Sequence, residues 1–316
     1  MSVDDQDIRE FYSRPAAMTS LGEHTPLVKA LPGDPGALAD VLHGLVIHEH
    51  MTGGYGVTLA DADRWTVHVR PAADLLAEIV ARDPRPLDAA RSPEGRLPGN
   101  CRHFTVLEAA MLRAHGTPAR ARCGFGGYFG TGWFEDHWVC EYWDSGQRRW
   151  RLIDAQIDDV QQGWFHTEFE VSDVPRDQFL VGGEAWRRFR AGQADPAKFG
   201  LSQLPEAGDW WIAANLMRDG AALLNIELLP WDCWGAMPTP EGPIGDDLAA
   251  LFDRLAEVTL APDDNLAELR RLYSDERLRV PATVRNAVRD REEPLWTGGR
   301  DVPGGESPAG PASPAV

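Results

Sequence analysis

The spacing of apolar residues predicts three helices in the first third of the chain. Residues 36–51 and 71–83 carry leucine, isoleucine and valine three and four positions apart, which is the period of an amphipathic helix. Residues 101–115 show the same spacing and lie between Asn100 and Gly116. Asparagine is a preferred N-cap residue, and glycine suits the left-handed position after a helix end. We therefore expect a buried, well-delimited helix over 101–115.

After this helix the hydrophobic period changes from about three and a half residues to two. Residues 119–129 are glycine-rich and extended in character, and residues 137–143 are rich in aromatic side chains. Residues 144–146 have the composition of a turn, and residues 149–155 read as the returning strand of a hairpin. A helix followed by antiparallel strands predicts the α+β class, with a helix packed on an antiparallel sheet.

The remaining segments divide the chain into four parts. Residues 1–35 are polar and contain four prolines, so we expect an irregular lead-in before a core over 36–180. Helical periodicity returns in the second half and predicts a helical C-terminal region over 181–296 that packs on the core. Residues 297–316 are rich in glycine and proline, which predicts a disordered tail. The segments with helical periodicity in the second half are 207–228, 246–260 and 264–273.

Composition and charge exclude several classes of protein. The 316 residues include 31 Lys+Arg and 49 Asp+Glu, which gives a formal net charge of −18 and disfavours a nucleic-acid partner. No apolar run approaches the roughly 20 residues of a membrane span, so we expect no membrane association. The N-terminus is acidic and polar, unlike a secretory signal, and four cysteines are too few for a disulfide framework. The sequence therefore predicts a cytoplasmic protein.

Three residues stand where cysteine chemistry needs them. Cys101 opens the helix over 101–115, where the macrodipole and free backbone N–H groups favour the nucleophilic thiolate. His137 opens one predicted strand and Asp154 closes the next, so a hairpin brings them together. A histidine is a base for the thiol proton, and a carboxylate orients the imidazole. If the helix packs on the sheet, its first residue meets His137.

The strings that contain these residues resemble the transglutaminase-like superfamily. GNCRHFTVLEAAMLRAHGTPAR, DHWVCEYWD and RWRLIDAQ stand in the order and at the spacing of its papain-like core, over about residues 95–160. The resemblance implies that Cys101 is the nucleophile, His137 the base and Asp154 the orienting acid. It offers no counterpart with known activity for the C-terminal helical region. The superfamily includes transferases, proteases, amidases, amide-forming enzymes and members without the nucleophile.

Other residues are candidates for the oxyanion hole and the substrate cleft. The backbone N–H of Cys101 is the natural first oxyanion donor, and the side chains of Trp65 and Tyr55 are further candidates. Aromatic residues near the three reactive positions either pack in the core or line a cleft for an apolar acyl group. The cleft candidates are Tyr128, Phe129, Trp133 and Trp138.

The remaining cysteines and histidines carry simpler interpretations. Cys123 and Cys140 lie in predicted strands and are expected to be core residues, as buried cysteines usually are. His48 and His50 do not have the spacing of a zinc site, so we expect no metal. The run 124–132 is either a mobile flap over the cleft or an ordinary loop.

The sequence therefore favours an enzyme of acyl transfer through a cysteinyl thioester, without a cofactor. Its partners are an acyl donor, either a peptide or a small molecule, and an amine acceptor that the negative charge attracts. Hydrolysis of an amide by the same residues is the first alternative, because no motif reports whether water is excluded. A non-catalytic binding protein that retains the fold is the second. The pattern leaves the oligomeric state open.

Overall fold

The computed structural model describes residues 3–204 and 206–295 and confirms the α+β class. The helices are α1 (Val3–Ser13), α2 (Thr25–Lys29), α3 (Pro35–Leu45), α4 (Ala72–Arg82), α5 (Cys101–Ala114), α6 (Asp159–Phe165), α7 (Gly182–Arg190), α8 (Asp209–Leu223), α9 (Asp246–Leu260) and α10 (Pro262–Leu272). The strands are β1 (Val46–His48), β2 (Leu97–Gly99), β3 (Ala119–Gly126), β4 (Phe134–Asp144), β5 (Arg149–Ile153), β6 (Phe179–Val181), β7 (Phe199–Leu201), β8 (Glu206–Ala207), β9 (Asp232–Cys233), β10 (Thr283–Asn286) and β11 (Arg291–Pro294). Short 3₁₀ turns cover Gly22–His24, Thr52–Tyr55, Asp61–His68, Pro93–Gly95, Val171–Asp173 and Pro196–Lys198.

The central sheet is built around the long strand β4. On one side β4 pairs antiparallel with β3, which in turn pairs with β6. On the other side β5 pairs with the C-terminal half of β4, and β7 pairs in parallel with its first two residues before leading to β8. The β4–β5 pairing is the predicted hairpin, so that prediction is confirmed.

Helix α5 packs on one face of this sheet, where β3 and β4 present mostly apolar side chains. Asn100 caps the helix by accepting a hydrogen bond from the backbone N–H of Arg102 at 3.1 Å, and Gly116 follows its end with a φ of +82°. Both terminal signals read from the sequence are therefore confirmed. The pairs Ala121–Cys140 and Cys123–Trp138 lie opposite one another on the face toward α5, and all four side chains are buried.

The opposite face of the same strands is charged and equally buried. Alternation along β3 and β4 places Arg120, Arg122 and Glu141 there, and Glu141 accepts hydrogen bonds from Arg120 at 2.6 Å and Arg122 at 3.0 Å. The second carboxylate for each arginine comes from the C-terminal helices: Asp263 bonds Arg120 at 2.6 Å, and Asp219 bonds Arg122 at 2.8 Å. These ion pairs join the C-terminal helices to the central sheet.

The prediction of an irregular lead-in over 1–35 is wrong where α1 and α2 form. Ile8 and Tyr12 stand four positions apart on α1, and both are buried. The hydroxyl of Tyr12 donates to the carbonyl of Leu223 on α8 at 2.9 Å. Tertiary contacts thus stabilise a helix whose sequence carries too few apolar positions to reveal it.

The helix predicted within 36–51 is shorter than its pattern suggested. It ends at Leu45, and the next three residues form β1, which pairs in parallel with β2. The pairing sets His48 opposite Gly99, two residues before Cys101. A short buried apolar run fits a helix or a strand equally well, and here the partner strand decides.

The C-terminal region contributes strands as well as the helices that the sequence predicted. Helices α8 and α9 are confirmed within the predicted segments and α10 begins two residues before its segment, while β9, β10 and β11 form a separate small sheet. The predicted division between residues 180 and 181 falls inside β6, which pairs with β3, so this region shares the central sheet. The predicted disordered tail, 297–316, lies outside the described residues.

In the part of the chain that the structure describes, the helices are too short or too polar to cross a lipid bilayer.

The charged face of the sheet generates a stability prediction for Glu141. Burial alone would raise the pKa of Glu141, but the charges of Arg120, Arg122 and Arg176 lower it well below its usual range. The ionised carboxylate therefore stabilises the fold above pH 4.5 and loses that contribution as the pH falls toward the folded-state pKa. We expect Glu141→Gln to lower the free energy of unfolding by about 3 kcal/mol at pH 7, because three arginines lose their shared partner.

Urea unfolding at pH 7 and at stepped lower pH values measures this difference. The matched control is Glu268→Gln, since Glu268 also bonds two arginines but at the surface of α10. Its effect should be far smaller. A Glu141→Gln protein as stable as the parent at pH 7 would contradict the role given to this carboxylate.

Candidate active site

Cys101 is the first residue of α5 and is held against the central sheet. It is only 7% exposed and packs in one buried cluster with Cys123, Trp138 and Ala222. The chain enters α5 directly from β2, and the Asn100 cap leaves the helix N-terminus well formed at the sulfur. Cys101 thus lies at the positive end of the α5 macrodipole, where the next three backbone N–H groups of the first turn donate to Asn100.

His137 and Asp154 meet through the hairpin, as the sequence predicted. Ile153 on β5 pairs with Cys140 on β4, so Asp154 lies one residue beyond the last pair and reaches back toward His137. The His137 Nε2 lies 2.8 Å from Asp154 Oδ2, and both side chains are buried. This bond leaves Nδ1 as the ring nitrogen available to another group.

The thiol of Cys101 lies near the His137 imidazole. It is close enough to raise the pKa of His137, although burial and Asp154 have the larger influences. The structure therefore brings together Cys101, His137 and Asp154, which come from α5, β4 and the residue after β5. The imidazole lies between a sulfur and a carboxylate, and this is the order in which a proton passes in cysteine-based acyl chemistry.

The electrostatics of the pair favour the charged forms of both partners. Burial alone would lower the pKa of His137, but the charge and hydrogen bond of Asp154, with a smaller contribution from Cys101, raise it to about 10. Burial alone would raise the pKa of Asp154, but His137, the Tyr128 hydroxyl and the Gln156 backbone N–H lower it. At neutral pH the two side chains are an imidazolium and a carboxylate, held in an environment that water does not reach.

Aromatic rings enclose the imidazole of His137. The Phe129 ring lies edge-on to it at a centroid distance of 4.9 Å, and the rings of Tyr128 and Phe179 lie at 6.1 and 6.2 Å. Phe165 of α6 packs on Phe129 at 5.0 Å and extends this wall away from His137. The charged pair is thus surrounded by apolar surface, which strengthens the attraction between its members.

The four predicted cleft residues occupy different places. Phe129 and Tyr128 are at the site, but both are buried against His137. Trp138 is 1% exposed and lies in the cluster beneath Cys101, so the prediction that it lines the cleft is wrong. Strand alternation explains this, because neighbours on β4 point to opposite faces of the sheet. Trp133 is half-buried in the loop before β4, and its role in the cleft stays a prediction.

The two side-chain candidates for the oxyanion hole also differ. The hydroxyl of Tyr55 donates to Asp158 at 2.7 Å and accepts from Gln161 at 2.9 Å, and its role in the oxyanion hole stays a prediction. Trp65 is 45% exposed on the 3₁₀ turn Asp61–His68 and stays a prediction. The backbone N–H of Cys101 keeps its position at the open end of α5.

Sequence reasoning missed the polar residues that support Asp154. The Tyr128 hydroxyl donates to Asp154 Oδ2 at 2.6 Å, and the backbone N–H of Gln156 donates to Oδ1 at 3.1 Å. The Gln156 side chain continues to Gln161 at 3.2 Å, which bonds Tyr55. Periodicity marks Tyr128 only as an aromatic residue after a strand, and nothing local to the sequence shows that its hydroxyl reaches Asp154.

His48 lies beside the site without forming a metal centre. Burial lowers the pKa of His48 to about 3, with smaller contributions from His50 and His137, so its ring is neutral. Its Nδ1 accepts a hydrogen bond from the backbone N–H of His50 at 3.3 Å. Over residues 3–204 and 206–295, His, Cys, Asp and Glu do not gather in groups of three or more that would hold a metal ion.

One cavity lies on the charged face of the sheet, and Cys101 is not among the residues that line it. Its volume is about 580 Å³, and Arg120, Arg122 and Glu141 line it on the charged face of the sheet. Glu141 stands four residues beyond His137 along β4, which is roughly 13 Å of extended strand. The ion pairs on its wall are those that join the C-terminal helices to the sheet.

The comparisons with known proteins agree with the resemblance seen in the sequence. Residues 51–168 match the model of the transglutaminase-like superfamily. Among solved structures, a candidate cysteine protease from Cytophaga hutchinsonii matches at 17% identity and a TM-score of 0.34, over 57% of this chain and 46% of that one, so this chain spans less than half of its length. No protein of curated function matches. Over a little more than a third of the chain, residues 51–168, the protein is therefore similar to the transglutaminase-like superfamily.

Proposed function

We propose that this protein is a cysteine acyltransferase in which Cys101, His137 and Asp154 carry an acyl group through a thioester. The observation that carries the proposal is the placement of His137, with Nε2 at 2.8 Å from Asp154 Oδ2 and the ring close enough to Cys101 for the thiol to raise its pKa. Members of the superfamily are typically cysteine enzymes, which supports the same conclusion.

The proposed reaction has two halves. The Cys101 thiolate attacks the carbonyl of an amide, ester or thioester, and the backbone N–H of Cys101 donates to the oxygen that becomes negative. The imidazolium of His137 gives its proton to the leaving group, which departs and leaves the acyl group on sulfur. An amine then attacks the thioester, His137 takes the amine proton, and the Cys101 thiolate leaves as the new amide forms. Asp154 keeps the imidazole oriented throughout and stabilises the imidazolium at the start and the end of the cycle.

Burial of the site supports an amine rather than water as the acceptor. Cys101, His137 and Asp154 are each less than a tenth exposed, and the rings of Phe129 and Phe179 enclose the imidazole. An acyl-enzyme in such a site is protected from water until the acceptor arrives. The net charge of −18 attracts cationic amines to the protein surface.

The first prediction concerns the acyl-enzyme. With p-nitrophenyl acetate as an activated donor, we expect intact-protein mass spectrometry to detect one acetyl group on the parent chain and none on Cys101→Ala, because the thioester needs that sulfur. Cys233→Ala is the matched control, since this half-buried thiol lies outside the Cys101 cluster. Equal acetylation of the Cys101→Ala protein would refute the proposal.

The second prediction concerns the acceptor. With the same donor and cadaverine as the amine, we expect the acetylated amine to form in excess over acetate, because the buried thioester meets water rarely. Chromatographic quantification of both products gives the ratio. Acetate as the main product at saturating amine would make the protein a hydrolase that uses the same residues. A parent chain that takes up no acetyl group would favour a binding protein.

The third prediction concerns the charge on His137. Because Asp154 is the main reason that the pKa of His137 rises to about 10, Asp154→Asn leaves burial as the dominant influence and makes the ring neutral at pH 7. We expect the rate of Cys101 alkylation by iodoacetamide at pH 7 to fall at least about 100-fold, since the thiolate loses its imidazolium partner. In the parent that partner persists up to pH values near 10 and is lost as His137 deprotonates.

Asp158→Asn is the control for this experiment. Asp158 caps α6 and bonds Tyr55 near the site, but it does not bond His137. Its alkylation rate should stay close to that of the parent. If the Asp154→Asn protein also reacts at the parental rate, Asp154 does not set the state of the imidazole.

A further inference from the structure

The carboxylate of Asp154 accepts hydrogen bonds in addition to its contact with His137. Its Oδ2 lies 2.8 Å from His137 Nε2 and also accepts the Tyr128 hydroxyl at 2.6 Å. Its Oδ1 accepts the backbone N–H of Gln156 at 3.1 Å. Asp154 is fully buried, so water does not compete for these positions. The Tyr128 hydroxyl and the imidazole therefore share one oxygen atom.

Tyr128 reaches this oxygen from the loop that joins β3 to β4. Gly126 and Gly127 precede it, and a Cβ on Gly126 would stand 2.6 Å from the Phe129 ring. The glycine lets the loop fold tightly over the sheet, so that Tyr128 and Phe129 stack at a centroid distance of 4.8 Å above His137. The loop lies over the imidazole, and the Tyr128 hydroxyl links the loop to the Asp154 carboxylate by a hydrogen bond.

The hydroxyl is not required for the packing of this loop. The Tyr128 ring is buried by Phe129 and by Phe169, which lies edge-on at 5.3 Å, and a phenylalanine ring would keep both contacts. A buried hydroxyl costs free energy unless it is hydrogen-bonded, and its acceptor here is a charged group, which makes the strongest kind of partner. The hydroxyl therefore acts on Asp154 rather than on the hydrophobic core.

We propose that Tyr128 is a positioning residue of the proposed acyl transfer, whose hydroxyl fixes the Asp154 carboxylate in the orientation that binds His137. The inference rests on the proposed function, because it assigns Tyr128 a part in the same site. Tyr128 does not touch the reacting atoms. It holds one oxygen of Asp154 in place while Gln156 holds the other, so the carboxylate cannot rotate away from Nε2.

The other titratable groups that face Asp154 are uncharged. His48 approaches from β1 and His43 from α3, and burial lowers the pKa of each, that of His48 to about 3. Burial raises the pKa of the Tyr128 hydroxyl itself far above its usual range, so it stays a donor. The charge of Asp154 is thus balanced by His137 alone, and Tyr128 is the neutral donor that stabilises this charge from outside the pair.

The test is Tyr128→Phe with Tyr142→Phe as its matched control. Tyr142 lies on β4 with its hydroxyl on the carbonyl of Ser172 at 3.2 Å, so the control removes the same atom elsewhere on the sheet. With p-nitrophenyl acetate and cadaverine, we expect Tyr128→Phe to lower kcat about tenfold and to leave KM within about twofold. The control should match the parent in both constants.

A second readout separates positioning from simple loss of stability. The NMR signal of the His137 Cε1 carbon responds when Asp154 takes up a proton, and Tyr128 lowers the pKa of Asp154. Without the hydroxyl, this acid inflection should move to higher pH by about one unit, which corresponds to one hydrogen bond to a charged group. An unchanged inflection together with an unchanged kcat would overturn the inference.

Failure of the inference is distinguishable from failure of the proposed function. If Cys101→Ala abolishes turnover while Tyr128→Phe equals the parent in kcat and in the His137 inflection, the function holds and the role of Tyr128 is refuted. If Cys101→Ala retains turnover, the proposed function fails, whereas a shifted His137 inflection in Tyr128→Phe still supports the bond to Asp154. Circular dichroism of each variant checks that the fold is retained.

Discussion

The buried pair of His137 and Asp154 is the interaction on which the rest of the site depends. Two opposite charges withdrawn from water attract strongly. The buried pair is stable only if hydrogen bonds to the remaining positions offset the cost of removing both charges from water. Here Tyr128 and Gln156 donate hydrogen bonds to the Asp154 carboxylate. Cys101 lies near the His137 imidazole, and the rings of Phe129 and Phe179 cover it. The hairpin of β4 and β5, the helix α5 and the loop before β4 are the elements that deliver these groups.

The charged face of the same sheet needs carboxylate partners for its buried arginines. Arg120, Arg122 and Glu141 are buried on the face that also carries His137, and the pairing of β3 with β4 sets them side by side. Two of the carboxylates that neutralise the arginines, Asp219 and Asp263, belong to α8 and α10. Without those helices each arginine would lose one of its two carboxylate partners, which is costly in a buried site. The C-terminal region therefore completes the sheet that positions the site, and we propose this as its structural role.

Local signals in the sequence were sufficient to predict α5 and the hairpin of β4 and β5. Caps at Asn100 and Gly116 delimit α5 because they act within one helical turn, and the change of period to two reveals the hairpin that joins His137 to Asp154. The missed features depend on distant partners. Helix α1 is stabilised by Tyr12 against α8, and β1 becomes a strand only because β2 lies beside it. The sequence predicts Trp138 as a cleft residue, whereas its position on β4 turns its side chain to the buried face of the sheet.

The sequence by itself determined the helix that begins at Cys101 and the hairpin that joins His137 to Asp154, because each is encoded by spacing over fewer than about 20 positions, and the order of these elements predicted the α+β class. Only the tertiary structure decided what surrounds them. The bond from Tyr128 to Asp154, the bond from Tyr55 to Asp158, and the arginine pairs with α8 and α10 all join groups from separate elements. Such contacts are specified by the packing of the whole chain, which no local pattern of hydrophobic and polar residues contains.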